Sequence, residues 1–301
     1  MKLPEAATEL TEETSIAIRD SIQWADVELP GGAIATSYVV EGDANVEGAP
    51  LLLLHGFDSS LFEFRRLVPQ LARQSGRRVY AVDLCGFGFC DRTSPALQTR
   101  NPADTVNPDV IRRHLAAFCE QVIGRPVVLV GASMGGGVAI ELVTARPDLV
   151  QKLVLLDAVG FAPAPVIGRF MFSPIDKWAT NFLRSPKVRR KISENAYCNK
   201  SFVTPDAELC AALHLQMPNW QEALIAFTKS RGYGSLSGKI AQVSMPTLVL
   251  WGRQDKILGT KDAARFEQVL PDSQLIWIED CGHVPHLEKA ERTAEQVTVF
   301  L

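Results

Sequence analysis

Seven short apolar runs, rich in valine, isoleucine and leucine, punctuate the chain. They lie at 35–41 (ATSYVVE), 51–55 (LLLLH), 78–83 (RVYAVD), 127–131 (VVLVG), 152–157 (KLVLLD), 247–251 (TLVLW) and 274–278 (QLIWI). Most are apolar at nearly every position rather than at alternate ones, the pattern of strands buried on both faces. Between them apolar residues recur every three or four positions. Helices are predicted at about 61–75, 108–123, 134–146, 260–269 and 289–300. This alternation predicts an α/β fold: a mostly parallel, twisted sheet flanked by helices on both faces.

One interval breaks the rhythm. Some 90 residues separate the strand ending near Asp157 from the strand starting near Thr247, and none of them forms a buried-strand pattern. A structureless loop of that length would contradict the assignment. The stretches SPIDKWATNFLRSPKVRRKI and DAELCAALHLQ carry helical periodicity instead. The chain therefore reads as a core, residues 1–157 and 237–301, with a helical cap, residues 158–236, inserted over one end of the sheet. Ligands of open α/β sheets bind at the carboxyl ends of the strands, where such an insertion would sit.

Composition narrows the picture. With 301 residues, 47% of them hydrophobic, the chain can bury a large core. A net charge of −3 without a basic stripe argues against a nucleic-acid partner. The apolar run Leu51–Leu54 is far too short to span a bilayer. The start, MKLPEAATELTEE, has neither the apolar stretch of a secretory signal nor an Arg-rich transit composition. Six scattered cysteines lack metal-ligand spacing and are read as reduced thiols. These features predict an intracellular protein that is not secreted.

The chemistry centres on VLVGASMGGG, residues 128–137. Gly131, Ser133 and Gly135 meet the Gly-x-Ser-x-Gly pattern, set between a predicted strand and a predicted helix. In such an elbow the serine is held on a strained turn, and its neighbours must be small because strand and helix crowd together. The backbone N–H of Met134, at a helix N-terminus, is positioned to hold an oxyanion. The plainer alternative is a Gly-rich packing turn. HGFDSS after the strand LLLL offers the N–H of Phe57 as second oxyanion donor, with Asp58 or Ser59 as a helix N-cap; His55 reads as a packed structural histidine. Asp255 in LWGRQDKI and His283 in DCGHVPHLEK each follow a strand. Serine is a weak nucleophile until an imidazole takes its proton, and a carboxylate must fix the imidazole tautomer. Asp157 for the acid and His286 for the base stay open. His114 and His214 fall on helices and read as surface or packing residues. Gly86 and Gly88 in GFGFCD lack the third glycine of a dinucleotide fingerprint and read as a turn near the site rim, with Asp91 structural. Glu288 reads as a capping or ion-pairing group.

Taken together, the elbow, the His-Gly loop and the order Ser133, Asp255, His283 resemble the α/β-hydrolase superfamily. A serine in the elbow disfavours its dehalogenase and epoxide hydrolase branches, which place a carboxylate there. The chemistry calls for no metal and no cofactor. More closely, LLLLHGFDSS, GFGFCD, RPVVLVGASMGG, FTKSRGYGSL, TLVLWGRQDKI and CGHVPHLEK resemble chlorophyll dephytylases and their cyanobacterial relatives. The likeness covers most of residues 50–290 and is weakest at about 160–220. Ala132, Met134, Gly136 and Gly137 depart from that family's elbow, where Pro, Leu and two alanines are expected. The resemblance implies a serine esterase that removes phytol from chlorophyll, with Ser133, Asp255 and His283 as its triad. It implies an apolar, chlorophyll-like ester as the small-molecule partner and peripheral contact with a thylakoid membrane. The apolar segment VGFAPAPVIGRFMFSPIDKW is expected to line a phytol channel, touch a membrane or pack the cap. Ile16, Ile18, Ile22 and Trp24 are expected to dock a terminal helix on the body. Alternative activities are a general carboxylesterase or lipase, a carbon–carbon bond hydrolase for ring-cleavage products, and a hydrolase-fold ligand receptor.

Overall fold

A computed structural model describes residues 1–97, 105–163 and 173–301. Its strands are β1 (Gln23–Leu29), β2 (Gly32–Glu41), β3 (Leu51–Leu54), β4 (Val79–Val82), β5 (Val127–Ala132), β6 (Val150–Leu156), β7 (Thr247–Gly252) and β8 (Ser273–Ile278). They form one sheet in the order β1-β2-β4-β3-β5-β6-β7-β8. β2 pairs antiparallel with β1 and with β4, and every other pair is parallel. The α/β expectation is met, with an antiparallel hairpin added at one edge.

The apolar runs have a direct physical cause. Leu52 and Leu54 of β3 enter one core cluster, whereas Leu51 and Leu53 enter the other. The same split separates Val127 and Leu129 from Val128 and Val130 on β5. Both faces of the central strands are thus sealed, and each fully buried leucine stabilises the fold by roughly 1.5–3 kcal/mol. β1 breaks this rule. Only Val27 of its seven residues is buried, because it is an edge strand. Its mixed sequence gave no apolar run and was not predicted. Trp24, expected on a helix, lies on β1 opposite Ser37, while Ile16 and Ile18 lie on α1 (Glu13–Ser21).

The remaining helices are α2 (Leu67–Ser75), α3 (Pro108–Phe118), α4 (Met134–Ala145), α5 (Ile175–Arg184), α6 (Pro186–Ala196), α7 (Pro205–Ala212), α8 (Trp220–Lys229), α9 (Ser237–Ile240), α10 (Lys261–Val269), α11 (Pro285–Glu288) and α12 (Ala290–Phe300). The helix predicted at 61–75 is split into a 3-10 turn, Leu61–Phe64, and α2. Helices α5 to α9 occupy the interval between β6 and β7. They bond to the loops at the carboxyl ends of β3 and β8: Arg189 of α6 reaches Asp58, and the His283 N–H donates to Ala196 O at 2.7 Å. Residues 164–172 of the expected apolar channel segment lie outside the described residues. All six cysteines are free thiols. Among the described residues no helix is long and apolar enough to cross a membrane.

His114 on α3 is buried and shares a 2.7 Å hydrogen bond with Thr36 of β2. Burial pulls its imidazole down to about 4. The unfolded chain takes up this proton near the ordinary value of about 6.5. The native state therefore keeps this contribution above that pH and loses it as pH falls from about 6.5 to 4. The thermal midpoint, followed by circular dichroism, is expected to drop across that window, with a shallower drop in His114→Gln. Identical slopes for the two proteins would contradict this.

Candidate active site

The turn between β5 and α4 is unusually tight. Ser133 sits there at φ 50°, ψ −115°, a conformation that costs a non-glycine residue about 1–3 kcal/mol. The surrounding backbone enforces it. The Ser133 N–H donates to Leu156 O at 2.9 Å, and Ser133 O accepts from Gly136 N and Val159 N at 3.0 Å each. A Cβ on Gly131 would lie 2.5 Å from Gly135 O, and one on Gly135 only 2.1 Å from Leu54 O. Two readings of this motif were open, a packing turn and a nucleophile elbow. The crowding that demands glycine fits both, since it packs strand on helix and also turns the serine out of the sheet.

Three strand ends bring the polar side chains together. Ser133 Oγ lies 3.0 Å from His283 Nε2, and His283 Nδ1 lies 2.9 Å from Asp255 Oδ2. The other carboxylate oxygen of Asp255 accepts from Ile257 N (2.7 Å) and Leu258 N (3.1 Å). Asp255 and His283 are both buried. The Asp and His loops are packed backbone to backbone: a Cβ on Gly252 would fall 1.8 Å from Gly282 O.

Of the two alternatives, His286 falls elsewhere, and Asp157 lies beside Asp255. His286 is buried with its Nε2 3.3 Å from Glu63 Oε1. Asp157 Oδ1 accepts from the Gly252 N–H at 2.9 Å, while its Oδ2 has no hydrogen-bond partner among the described residues. Burial, and then the charge of Asp255, push the Asp157 carboxyl well above its ordinary range. Asp157, Asp255 and His283 bring one ligand atom each within 4.8 Å of the others. His283, however, spends both ring nitrogens on Asp255 and Ser133. The donor set thus fits a proton relay better than a metal centre.

The loop after β3 closes the other side. His55 is buried and structural: its Nδ1 donates to Gly56 O at 2.8 Å and its Nε2 accepts from Leu84 N at 3.1 Å. Phe57 and Ser133 line the same cavity, of about 270 Å³. A Cβ on Gly56 would lie 3.4 Å from Ser133 Cβ, so the loop abuts the elbow. Met134 opens α4, where its N–H has no partner within the helix. Gly86 and Gly88 do form a turn with positive φ, and Phe87 from it packs against Phe57 with ring centres 6.1 Å apart. Asp91 accepts from Thr93 N and Oγ1 and is structural, as expected.

Several functional contacts were not anticipated. Asp58 is no helix cap. At φ 48° it turns its carboxylate toward the inserted helices. Oδ1 accepts from Trp220 Nε1 (2.8 Å) and His214 Nε2 (3.1 Å), and Oδ2 from Arg189 Nη1 (2.5 Å). Burial works against its charge, but the His214 and Trp220 donors and the Arg189 guanidinium outweigh that and hold the carboxyl well below the usual range. His214, expected at the surface or in packing, is thus a buried latch residue. Glu63 accepts from the Gly56 N–H at 2.7 Å. Burial opposes its charge too, yet His286 and that N–H bring its carboxyl down to about 2. Among the described residues Glu288 neither caps a helix nor forms an ion pair. Its carboxylate collects the N–H groups of Gly282 (2.8 Å), Cys198 (3.0 Å) and Asn199 (2.5 Å), tying the His loop to the end of α6.

A strained serine after a parallel strand, bonded to a histidine that is bonded to an aspartate, is the constellation of the hydrolases built on this sheet. The profile of the alpha/beta hydrolase family matches residues 51–296, and the chain belongs to that family. It is 31% identical over 255 residues to alpha/beta hydrolase domain-containing protein VTE7 of Arabidopsis thaliana, covering 84% of this chain and 74% of that one. It is 29% identical over 266 residues to 2-hydroxymuconate semialdehyde hydrolase of Pseudomonas sp. strain CF600, covering 84% and 87%. Among solved structures, a serine hydrolase involved in carbazole degradation, the CarC enzyme, superposes with a TM-score of 0.72 at 24% identity, covering 93% of this chain and 98% of that one.

Proposed function

We propose that the protein is a serine ester hydrolase whose substrate is a long-chain apolar ester of the chlorophyll type. The observation that carries the reaction class is the continuous hydrogen-bond path Ser133–His283–Asp255. Ser133 Oγ attacks the ester carbonyl carbon while His283 Nε2 takes its proton. The N–H groups of Phe57 and Met134 hold the resulting oxyanion. His283 then gives the proton to the departing alcohol, the ester C–O bond breaks, and the acyl group stays on Ser133. Water, deprotonated by His283, releases the acid and restores the serine. Asp255 holds His283 with Nδ1 protonated throughout.

The substrate reading rests on the sequence resemblance to chlorophyll dephytylases and on the character of the cavity. Phe57, Leu183, Ile192, Ile257, Val284 and Leu287 give it apolar walls. At about 270 Å³ it lies just under the ~300–1,000 Å³ usual for enclosing a whole drug-sized ligand. It accommodates the ester and part of an alkyl chain, and leaves a pigment ring system at the mouth, where Phe57, Ile192 and Ile257 are exposed. In this reading the inserted helices act as a cap.

A carbon–carbon bond hydrolase is the second reading. It is favoured by the likeness to 2-hydroxymuconate semialdehyde hydrolase and by Arg65 and Arg189 in the cavity lining, which suit a carboxylate. One set of incubations separates them: chlorophyll a dispersed in detergent, a nitrophenyl ester, and 2-hydroxymuconate semialdehyde, with products resolved by chromatography. Chlorophyllide and phytol are the expected products. Turnover of the semialdehyde with no chlorophyllide would replace the ester reading by the second.

A further inference from the structure

Helix α5 is amphipathic in the wrong direction for a soluble helix. Its buried face carries polar groups: Asp176, whose Oδ2 accepts from Lys229 Nζ at 3.0 Å, and Thr180, whose Oγ1 accepts from Gln221 Nε2 at 2.7 Å. Its solvent face carries Ile175, Trp178 and Phe182, which are 44%, 75% and 59% exposed. At about 100° per residue these three side chains fall within about 60° of one another, one continuous stripe. A soluble helix turns such a stripe inward.

The charges beside the stripe say what it meets. Residues 173–196 hold six basic and two acidic residues, in a chain whose net charge is −3. Lys177, Arg184, Lys187, Arg190 and Lys191 are exposed. Among the described residues Lys177 and Lys187 make no ion pair. Apolar and aromatic side chains flanked by basic ones suit a layer of acidic headgroups over hydrocarbon. They do not suit a second copy of the same face, which would set basic groups against basic groups.

We infer that the exposed stripe of α5, with the basic residues of α5 and α6, is a docking surface for an anionic lipid bilayer. Leu183 of α5 and Arg189 and Ile192 of α6 line the cavity of Ser133. Docking therefore brings the cavity mouth to the lipid surface, where an apolar ester resides. The inference stands on the exposed face and not on the choice of substrate.

Sedimentation with vesicles tests it. The full-length protein is mixed with phosphatidylcholine vesicles, or with vesicles containing about one third phosphatidylglycerol. The wild type is expected to sediment with the anionic vesicles only, less so at high salt. The double variant Trp178→Glu/Phe182→Glu is expected to bind about tenfold less. It should keep the wild-type rate on a water-soluble nitrophenyl ester and the wild-type melting temperature, because neither residue lines the cavity. Equal sedimentation of wild type and variant overturns the inference. So does a wild type that ignores anionic vesicles but forms a dimer that the double variant abolishes. Failure to act on chlorophyll would be seen in the incubations above and would leave vesicle binding intact.

Discussion

Ser133→Ala is expected to lose at least about 10⁴-fold in ester turnover while folding as the wild type does. The loss follows from the geometry. The substitution removes the one oxygen that lies 3.0 Å from His283 Nε2 and can receive the acyl group. What remains, the proposed oxyanion N–H groups and the cavity, would bind ester without a nucleophile. The fold is spared because the elbow is held by backbone bonds to Leu156, Gly136 and Val159, none of which uses the hydroxyl. Alanine has the same Cβ as serine, so the strain at φ 50° neither grows nor disappears. Turnover of a nitrophenyl ester and a thermal melt read the two effects separately.

The second large effect is at Asp58. Asp58→Ala removes a carboxylate that accepts from Arg189, His214 and Trp220. It leaves a largely buried guanidinium and two buried N–H donors without their partner, at a cost of about 3 kcal/mol. For a chain of this size the melting temperature should fall by roughly 6–12 °C. Activity should fall too, because Asp58 directly follows Phe57, the proposed oxyanion donor, and the inserted helices hold that loop through it. A drop of about 10–100-fold in kcat is expected, short of deleting a donor outright. Asp58→Asn keeps an oxygen for Trp220 and His214 but loses the charge facing Arg189, so it should fall between. A wild-type kcat and melting temperature in Asp58→Ala would show that the latch does not position the loop.

The site was legible where chemistry sits at strand ends. Ser133, Asp255 and His283 each follow an apolar run, so the runs that mark the sheet also mark its carboxyl edge. The elbow glycines were legible because backbone crowding there leaves no other choice. What was hidden depends on partners far away in the chain. Asp58 looks like a turn residue, and nothing nearby announces Arg189, His214 or Trp220. Glu288 looks like a helix residue, because backbone N–H groups leave no trace in a sequence. β1 was hidden for the opposite reason: at the sheet edge it buries one residue and needs no apolar run. α5 was read correctly as a helix, but its periodicity could not say which face points outward.

Ser133 is proposed to carry the acyl group. The most direct measurement is to trap the enzyme with a serine-reactive fluorophosphonate and map the adduct by peptide mass spectrometry. A single adduct on Ser133, greatly slowed in His283→Ala, is expected. An unlabelled Ser133 in a protein that still hydrolyses esters, or an adduct on another residue that tracks loss of activity, would contradict it.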